Sequence, residues 1–439
     1  MHETITILGG GVSGIGAALL AKKKGFNVFL SDKNMLNKEN KDILVKNNID
    51  WEEGNHTLSK IINSQEIIIS PGIPNSSTII KKLKALKIPI ISEVEFGFRY
   101  SKGKIVAITG TNGKTTTTLL VGHILKKSGY DVLVAGNIGT SFCMSLVNRD
   151  YEYIVLELSS FQLERVNQFR PNIAIILNIT PDHLDRYDFD FTKYKKTKYR
   201  ISKNQISSDT LIYNSDNINA NEIDTSAKKI PISLNKQIKV GGYINNNQII
   251  ININNTNMNI QDLALQGKHN IFNSMAAAVA ARVFEVKDSV IRQSMIDFQN
   301  IEHRLEHVLT VHGIDFINDS KATNINATWF ALESMNKKVV WIAGGVDKGN
   351  DYKKLNDLVK SKVKSIICLG DNNKNLIDSF LNKVENIFHA SNMKDAVAQS
   401  YNIAKSGDVV LLSPSCASFD LFENFEDRGL QFKQQVRSL

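Results

Sequence analysis

The sequence predicts an α/β protein of three domains built on largely parallel sheets. Three observations carry that expectation. Short apolar runs of strand character alternate with helix-patterned segments along nearly the whole chain. Several runs end in Gly-rich or small polar clusters, the position where parallel strands meet ligands. The length, 439 residues, exceeds what one ordinary core accommodates. Boundaries are expected near residues 92 and 300, giving 1–92, 93–300 and 301–439.

Composition excludes several classes. Hydrophobic content of 42% with 22% charged residues describes a soluble globular chain. No apolar run approaches the roughly 18 residues of a membrane span, and no secretory leader pattern opens the chain. Cys143, Cys368 and Cys416 are far apart and odd in number, without zinc spacing or a disulfide framework. A cytoplasmic protein is expected. The net charge of +9 is spread without a basic block, which favours anionic small substrates, or plain composition drift, over nucleic acid.

The first domain opens with Thr4–Leu8 as a strand, then Gly9, Gly11 and Gly14, then an Ala/Leu-rich helix to about Lys24. Val28–Ser31 is the next strand, followed by Asp32. Taken alone, these glycines and the acid about 20 residues on predict NAD, although the same loop holds any nucleotide diphosphate. Ile67–Ser70 runs into the tight turn Pro71-Gly72-Ile73-Pro74, another ligand edge.

The second domain carries Ile105–Thr109, a strand, then Gly110-Thr111-Asn112-Gly113-Lys114-Thr115 and a helix pattern through Leu125. That is a phosphate-binding loop: backbone N–H groups and the helix N-terminus face an anion, Lys114 reaches the β/γ-phosphates, and Thr115 offers its hydroxyl to Mg²⁺. The general motif has a Gly where this chain has Ile108. Tyr153–Glu157 is a buried strand ending in a carboxylate, a candidate Mg²⁺ partner or a plain cap. Ile173–Asn178 is a further strand, and Asp182, His183 and Asp185 crowd one turn beyond it. Lys195, Lys196, Lys198 and Arg200 read, from spacing alone, as the solvated face of a helix. Residues 229–265 read as a surface β-excursion without chemistry. His269 and Asn270 open a helix, suited to ligand contact or capping.

The third domain begins near Ile301. Val308–Asn318 predicts a hairpin turning at His312-Gly313, and it ends in the polar run Asn318–Asn324. Val339–Gly345, Ser365–Gly370 and Asp408–Ser413 are strands with helical patterns between them, giving a doubly wound sheet. Cys416 has no His near it in sequence and is expected to be structural.

Eight blocks together resemble the Mur ligases of bacterial cell-wall synthesis: Gly110–Thr115, Gly136–Gly139, Glu157–Glu164, Asp182–Tyr187, His303-Arg304, Asn318–Asn324, Gly344–Lys348 and Ser413–Asp420. The phosphate-loop block is shared with folylpolyglutamate synthases. The Glu157, Asn318 and Ser413 blocks are closer to the D-glutamate-adding branch, and the Asp-Asn-Pro-Arg motif of the diaminopimelate- or lysine-adding relative is absent.

The resemblance implies a Rossmann-like N-terminal sheet, a central P-loop ATPase-like α/β domain and a Rossmann-like C-terminal domain. It implies an ATP-dependent amide ligase whose small-molecule substrates are UDP-N-acetylmuramoyl-L-alanine and D-glutamate, acting as a monomer with no membrane span. Under it the first domain holds UDP and not NAD, through Val12, Ser13, Asp32, Lys33 and Gly72. Asn34 stands where the best-known members carry Arg, so the grip on UDP is expected to be partly rebuilt.

ATP would phosphorylate the substrate carboxylate, and the amine of D-glutamate would attack the acyl phosphate. Lys114 would stabilise the transferring phosphate. Gly110, Thr111, Asn112, Gly113, Thr115 and Thr116 would hold ATP, with Asn270 and Asn273 on the adenine side. Two Mg²⁺ ions are implied, with Thr115 and Glu157 on the first and His183 on the second. Lys198 matches a lysine carbamylated by CO₂, an anion that would attract the second metal where an ammonium would repel it. Asn137 and Ser159 match muramoyl contacts. Arg304, Asp319 and Lys321 match nucleotide and acyl-phosphate contacts, and Thr323, Lys348, Ser418 and Phe425 match the D-glutamate pocket. The site is expected to assemble on domain closure, which excludes water. The competing readings are another amino-acid ligase of this fold, a nucleotide-dependent regulator or transport ATPase, and an NAD oxidoreductase that would leave the phosphate loop unexplained.

Overall fold

The computed structural model describes residues 3–253, 256–259, 263–265, 267–298, 302–347 and 349–439. The chain divides into two compact units, Met1–Phe298 and Gln299–Leu439, and its described residues form three sheets.

The first sheet uses β1 (Thr4–Leu8), β2 (Asn27–Ser31), β3 (Asp50–Glu52), β4 (Glu66–Ile69) and β5 (Ile90–Ser92), in the order β3-β2-β1-β4-β5. Every pairing is parallel. Parallel strands covered on both faces read as continuous apolar runs, as Ile67–Ile69 does, and in Ile5–Leu8 the one polar residue, Thr6, is buried with its hydroxyl 2.6 Å from that of Ser64. The order reverses between β1 and β4, which opens a crevice at the carboxyl ends of the strands. Gly14 lets the helix Val12–Lys23 rest against the preceding turn: a Cβ there would lie 1.8 Å from the Gly9 carbonyl oxygen.

The second sheet contains β6 (Lys104–Thr109), β7 (Val132–Gly136), β8 (Tyr153–Glu157), β9 (Ile173–Ile176), β10 (Thr210–Asn214), β11 (Lys228–Ser233), β12 (Gly242–Asn245), β13 (Gln248–Ile251) and β14 (Thr256–Asn259). Its order is β14-β13-β12-β11-β10-β9-β6-β8-β7. β6 therefore lies between β8 and β9, both parallel to it. The stretch expected to be a surface excursion instead extends this sheet. β11 and β12 continue it in parallel and β13 and β14 fold back antiparallel. Ile249 and Ile251 are each 2% exposed, because alternate positions of β13 face the interior.

A short helix, Glu93–Tyr100, joins these two sheets, and it carries two buried carboxylates. Glu95 accepts the backbone N–H groups of Asn167, Gln168 and Phe169. Glu93 accepts from the Ser141 hydroxyl at 2.7 Å and the Cys143 N–H at 2.6 Å. Burial pushes the Glu93 carboxyl above the usual carboxylate range.

The third sheet lies in the second unit and has the order β15-β16-β20-β17-β18-β19. Its strands are β15 (Glu306–Val311), β16 (Ile314–Asn318), β17 (Val339–Gly344), β18 (Val363–Leu369), β19 (Asn386–Ala390) and β20 (Val409–Ser415). The β15–β16 hairpin is antiparallel and turns at His312-Gly313, and the other pairings are parallel. Trp341 is fully buried in this unit's core, and its indole N–H donates to the Ser413 carbonyl at 2.8 Å.

Candidate active site

The phosphate loop leaves the end of β6 and enters the helix Lys114–Lys127. Gly113 caps that helix with φ +85°, and a Cβ there would sit 2.4 Å from the Asn273 amide oxygen. Only Gly suits both the left-handed backbone and that contact. The loop is clamped from β9: the Thr111 N–H donates to the Asn178 carbonyl and the Asn112 N–H to the Asn178 side chain, each at 2.9 Å. The Asn178 amide returns a bond to the Asn112 carbonyl at 2.9 Å. The Thr111 hydroxyl donates to the Thr180 carbonyl and lies 3.1 Å from the Tyr194 hydroxyl. Lys114 Nζ lies back along the loop, donating to the Gly110 and Thr111 carbonyls at 3.0 and 2.8 Å.

Thr115 is the first residue past Lys114, and its hydroxyl donates to Glu157 Oε2 at 2.7 Å. The strand register explains the meeting, since Glu157 ends β8 opposite Ile108 of β6. The other carboxylate oxygen of Glu157 accepts from the Asn137 amide at 2.9 Å, and the Asn137 N–H donates to the Glu157 carbonyl. Ser159 caps the helix Ser160–Leu163 in a capping box with Gln162. The Thr116 hydroxyl is buried without a hydrogen-bond partner among the described residues. Asn270 and Asn273 lie on the helix Lys268–Val283, 3.4 Å apart between amide nitrogen and oxygen, and Asn273 abuts the phosphate loop at Gly113.

Lys198 departs from the solvated face its spacing suggested. It is 2% exposed, because the helix Phe191–Tyr199 turns that side toward the loop. Its Nζ donates to the Gly110 carbonyl at 2.8 Å and lies 4.8 Å from the Tyr194 ring centroid. Burial, and then the nearby Lys114, push its pKa well below that of an ordinary lysine, against Asp182 and Glu157. His183 has φ +51°, opens the short 3₁₀ turn Leu184–Tyr187, and sets its ring edge-to-face with Phe161, 5.0 Å between centroids. Its backbone N–H donates to Asp182 Oδ1 at 2.9 Å. Among the described residues no three His, Cys, Asp or Glu side chains converge as a ready-made metal cage. The Thr115 hydroxyl and the Glu157 carboxylate are hard oxygen donors of the kind Mg²⁺ takes beside phosphates.

A separate cavity of about 1000 Å³ lies at the reversal point of the first sheet. Val12, Ser13, Asp32, Lys33 and Gly72, all singled out from sequence, line it. Asp32 does not point freely into it: one oxygen accepts the Gly10 N–H at 2.6 Å and the other the Asn34 N–H at 2.8 Å. The acid thus braces the glycine turn. Ser159 does not line this cavity, and neither does Asn137.

In the second unit Asp319 follows β16 and is buried; burial raises its pKa to about 7 against the nearby Arg304, the Ser413 hydroxyl and the Leu305 N–H. Ser413 Oγ donates to it at 2.9 Å. The Arg304 Nε is buried without a hydrogen-bond partner among the described residues. Lys321 Nζ lies 4.9 Å from the Phe425 ring centroid, and Ser418 is buried. The Thr323 N–H donates to the Lys321 carbonyl. Lys348 lies outside the described residues. Arg428, 1% exposed, was not singled out from sequence: it donates to the Ser320 hydroxyl and carbonyl and to the Cys416 carbonyl, tying the Asn318 and Ser413 blocks together. Burial holds the Cys416 thiol up at about 11, beside the Tyr352 hydroxyl at 3.3 Å, so it is a structural group.

Sequence profiles match in three stretches: the MurD N-terminal domain at residues 4–79, the Mur ligase middle domain at 108–281, and the Mur ligase, glutamate ligase domain at 303–416. The chain is 48% identical to the UDP-N-acetylmuramoylalanine–D-glutamate ligase of Christiangramia forsetii and 47% identical to that of Bacteroides thetaiotaomicron, over the full length of each. The chain belongs to the Mur ligase family, in its UDP-N-acetylmuramoylalanine–D-glutamate ligase branch. Mur ligases are ATP-dependent carbon–nitrogen ligases, and the three sheets are those of the Mur ligase fold. Solved Mur ligases share that fold at low identity. One is the UDP-N-acetylmuramate–alanine ligase of Thermotoga maritima, with TM-score 0.63 and 20% identity over both full chains. Another is a pseudomurein peptide ligase of Methanothermus fervidus, with TM-score 0.64 and 19% identity over both full chains. Among the described residues no helix is long and apolar enough to cross a membrane.

Proposed function

We propose that this Mur ligase joins D-glutamate to UDP-N-acetylmuramoyl-L-alanine through an acyl phosphate made with ATP, in the cytoplasm and as a monomer. The observation that carries the nucleotide half of this reading is the Thr115–Glu157 contact, which closes a phosphate loop against the acid of the neighbouring strand. The specificity for D-glutamate rests on the curated relatives and on the Asn318 and Ser413 blocks. The division into 1–92, 93–300 and 301–439 belongs to the same proposal.

The residues take the following parts. The N–H groups of Gly110–Thr115 and the helix N-terminus cradle the phosphates of ATP. Lys114 leaves its loop carbonyls to follow the transferring phosphoryl group. Thr115 and Glu157 fit one Mg²⁺, and His183 with carbamylated Lys198 fits a second. Bound there, Mg²⁺ would spread the charge of the phosphoryl group during transfer. Burial and the charge of Lys114 lower the Lys198 pKa and so favour the neutral amine, the form that reacts with CO₂, which supports the carbamate on Lys198. Asn137 and Ser159 orient the muramoyl arm, while Val12, Ser13, Asp32, Lys33 and Gly72 hold its uridine diphosphate. Asn270 and Asn273 fix the adenine side. Arg304, Asp319 and Lys321 bind the nucleotide and acyl phosphate, and Thr323, Lys348, Ser418 and Phe425 hold D-glutamate.

The deciding assay is phosphate release with ATP, Mg²⁺ and UDP-N-acetylmuramoyl-L-alanine, with and without D-glutamate. L-Glutamate and L-alanine serve as controls. Release that requires D-glutamate and yields an amide is expected. Release with no amino acid required would overturn the ligase reading, and release driven by another amino acid would reassign the second unit's pocket.

A further inference from the structure

His56 lines the 1000 Å³ cavity and has no part in the assignments above. It follows β3, two strands from β1 in the order β3-β2-β1. Its ring reaches back to Ser31 at the end of β2, whose carbonyl accepts the Gly9 N–H at 2.9 Å, so Ser31 stands between His56 and the glycine turn that follows β1. The three strand ends thus lay out a nucleotide in order. The turn and helix N-terminus after β1 suit a diphosphate. Asp32 and Lys33 after β2 stand beside the ribose position, and His56 after β3 stands beside the base.

The hydrogen bonds around His56 fix its tautomer. Its Nδ1 is 2.7 Å from the Ser31 hydroxyl. That hydroxyl has one proton and donates it to Glu52 Oε1 at 2.8 Å. Glu52 is held ionised: hydrogen bonds from Thr57 and Ser31 and the charge of Lys60 outweigh the cost of burial and keep its pKa low. Ser31 can therefore only accept from His56, so Nδ1 carries the ring proton. Partial burial, with Lys33 beside it, outweighs Asp32 and Glu52 and lowers the imidazole pKa, which keeps the ring neutral. Nε2 is then a bare acceptor.

We propose that His56 is a base-reading residue, whose Nε2 accepts the imide N3–H of the uracil ring. Uracil has that one N–H donor on its exposed edge. Cytosine has a bare N3 acceptor in the same place, which would set two lone pairs against each other. This rests on the uridine-diphosphate reading of the cavity.

Calorimetric titration of UDP, CDP and N3-methyl-UDP into the full chain tests it. The unsubstituted chain should bind UDP about tenfold or more tightly than either of the others. His56→Phe keeps a flat ring without an acceptor and should bind all three alike, with ATP binding retained. His56→Gln, whose amide can accept or donate, should keep UDP and gain CDP, a change that a merely structural histidine would not produce. Should His56→Phe fail to fold, His56→Gln decides alone. An unchanged UDP-to-CDP ratio in the folded variant, with UDP still bound, overturns the role of His56 and leaves the uridine reading standing. Absence of UDP binding to the unsubstituted chain overturns that reading itself.

Discussion

Thr115 Oγ1 and Glu157 Oε2 lie 2.7 Å apart, although 42 residues separate them in sequence. The pair exists because β6 and β8 are neighbours in register, so the residue after the phosphate-loop lysine meets the last residue of the adjacent strand. Removing either partner tests what the pair is for. Thr115→Ala and Glu157→Gln are each expected to weaken Mg²⁺ or Mn²⁺ affinity by on the order of 10–100-fold. Manganese titration followed by electron paramagnetic resonance in the presence of ATP measures this. Affinity unchanged in both variants would remove the pair from the metal site.

Gly113→Ala asks a left-handed position to carry a Cβ and drives that atom toward Asn273 Oδ1. The backbone term alone is about 1–2 kcal/mol. ATP binding should fall by more than tenfold while UDP binding, at a different strand end, is kept. Parallel titrations of the two nucleotides separate a local defect from general unfolding.

Lys198→Ala should abolish amide formation in ordinary buffer. The unsubstituted chain prepared without CO₂ should lose activity and regain it on addition of bicarbonate, with a carbamate carbon signal from ¹³C-bicarbonate absent in Lys198→Ala. Full activity of the variant would end the carbamate assignment.

The Asp319 carboxyl, with a pKa of about 7 in the folded unit against an ordinary 3.8, binds its proton more tightly folded than unfolded. Between those values the folded state carries more protons, so stability falls as pH rises from about 4 to about 7. The loss is at most on the order of 4 kcal/mol. Urea denaturation of the chain against pH should show this slope in the second unit's transition, and Asp319→Asn should flatten it. An identical slope in the variant would assign the dependence elsewhere.

The phosphate loop was legible because strand, glycine turn and helix are contiguous, and its chemistry follows from local backbone geometry. The cavity of the first sheet was legible only in outline. Gly9, Gly11 and Gly14 fit any nucleotide diphosphate, and Asp32, which would be expected to greet a ribose, spends both oxygens on the Gly10 and Asn34 N–H groups. Burial that depends on distant strands was not legible. Lys198 sits in a basic run that looks solvated, Arg428 in a polar C-terminal helix, and both are enclosed by residues far away in sequence. Asn178 ends an apolar run just as Glu157 does, and that shared pattern was the available signal for its clamp on the loop. The Ile249–Ile251 run set in an Asn-rich stretch indicated strands but could not say which sheet they would join.

The helix Glu93–Tyr100 looks like a hinge in the chain but is sealed like a core. Glu95 holds three N–H groups of one segment and Glu93 a helix start of another, and the Ser141 hydroxyl bound to Glu93 lies 2.1 Å from where a Cβ on Gly16 of the first sheet's helix would sit, so parting the first two sheets would open this buried junction. A nucleotide seated in the first sheet's cavity should therefore slow hydrogen exchange at the phosphate loop, with no contact between the two ligands.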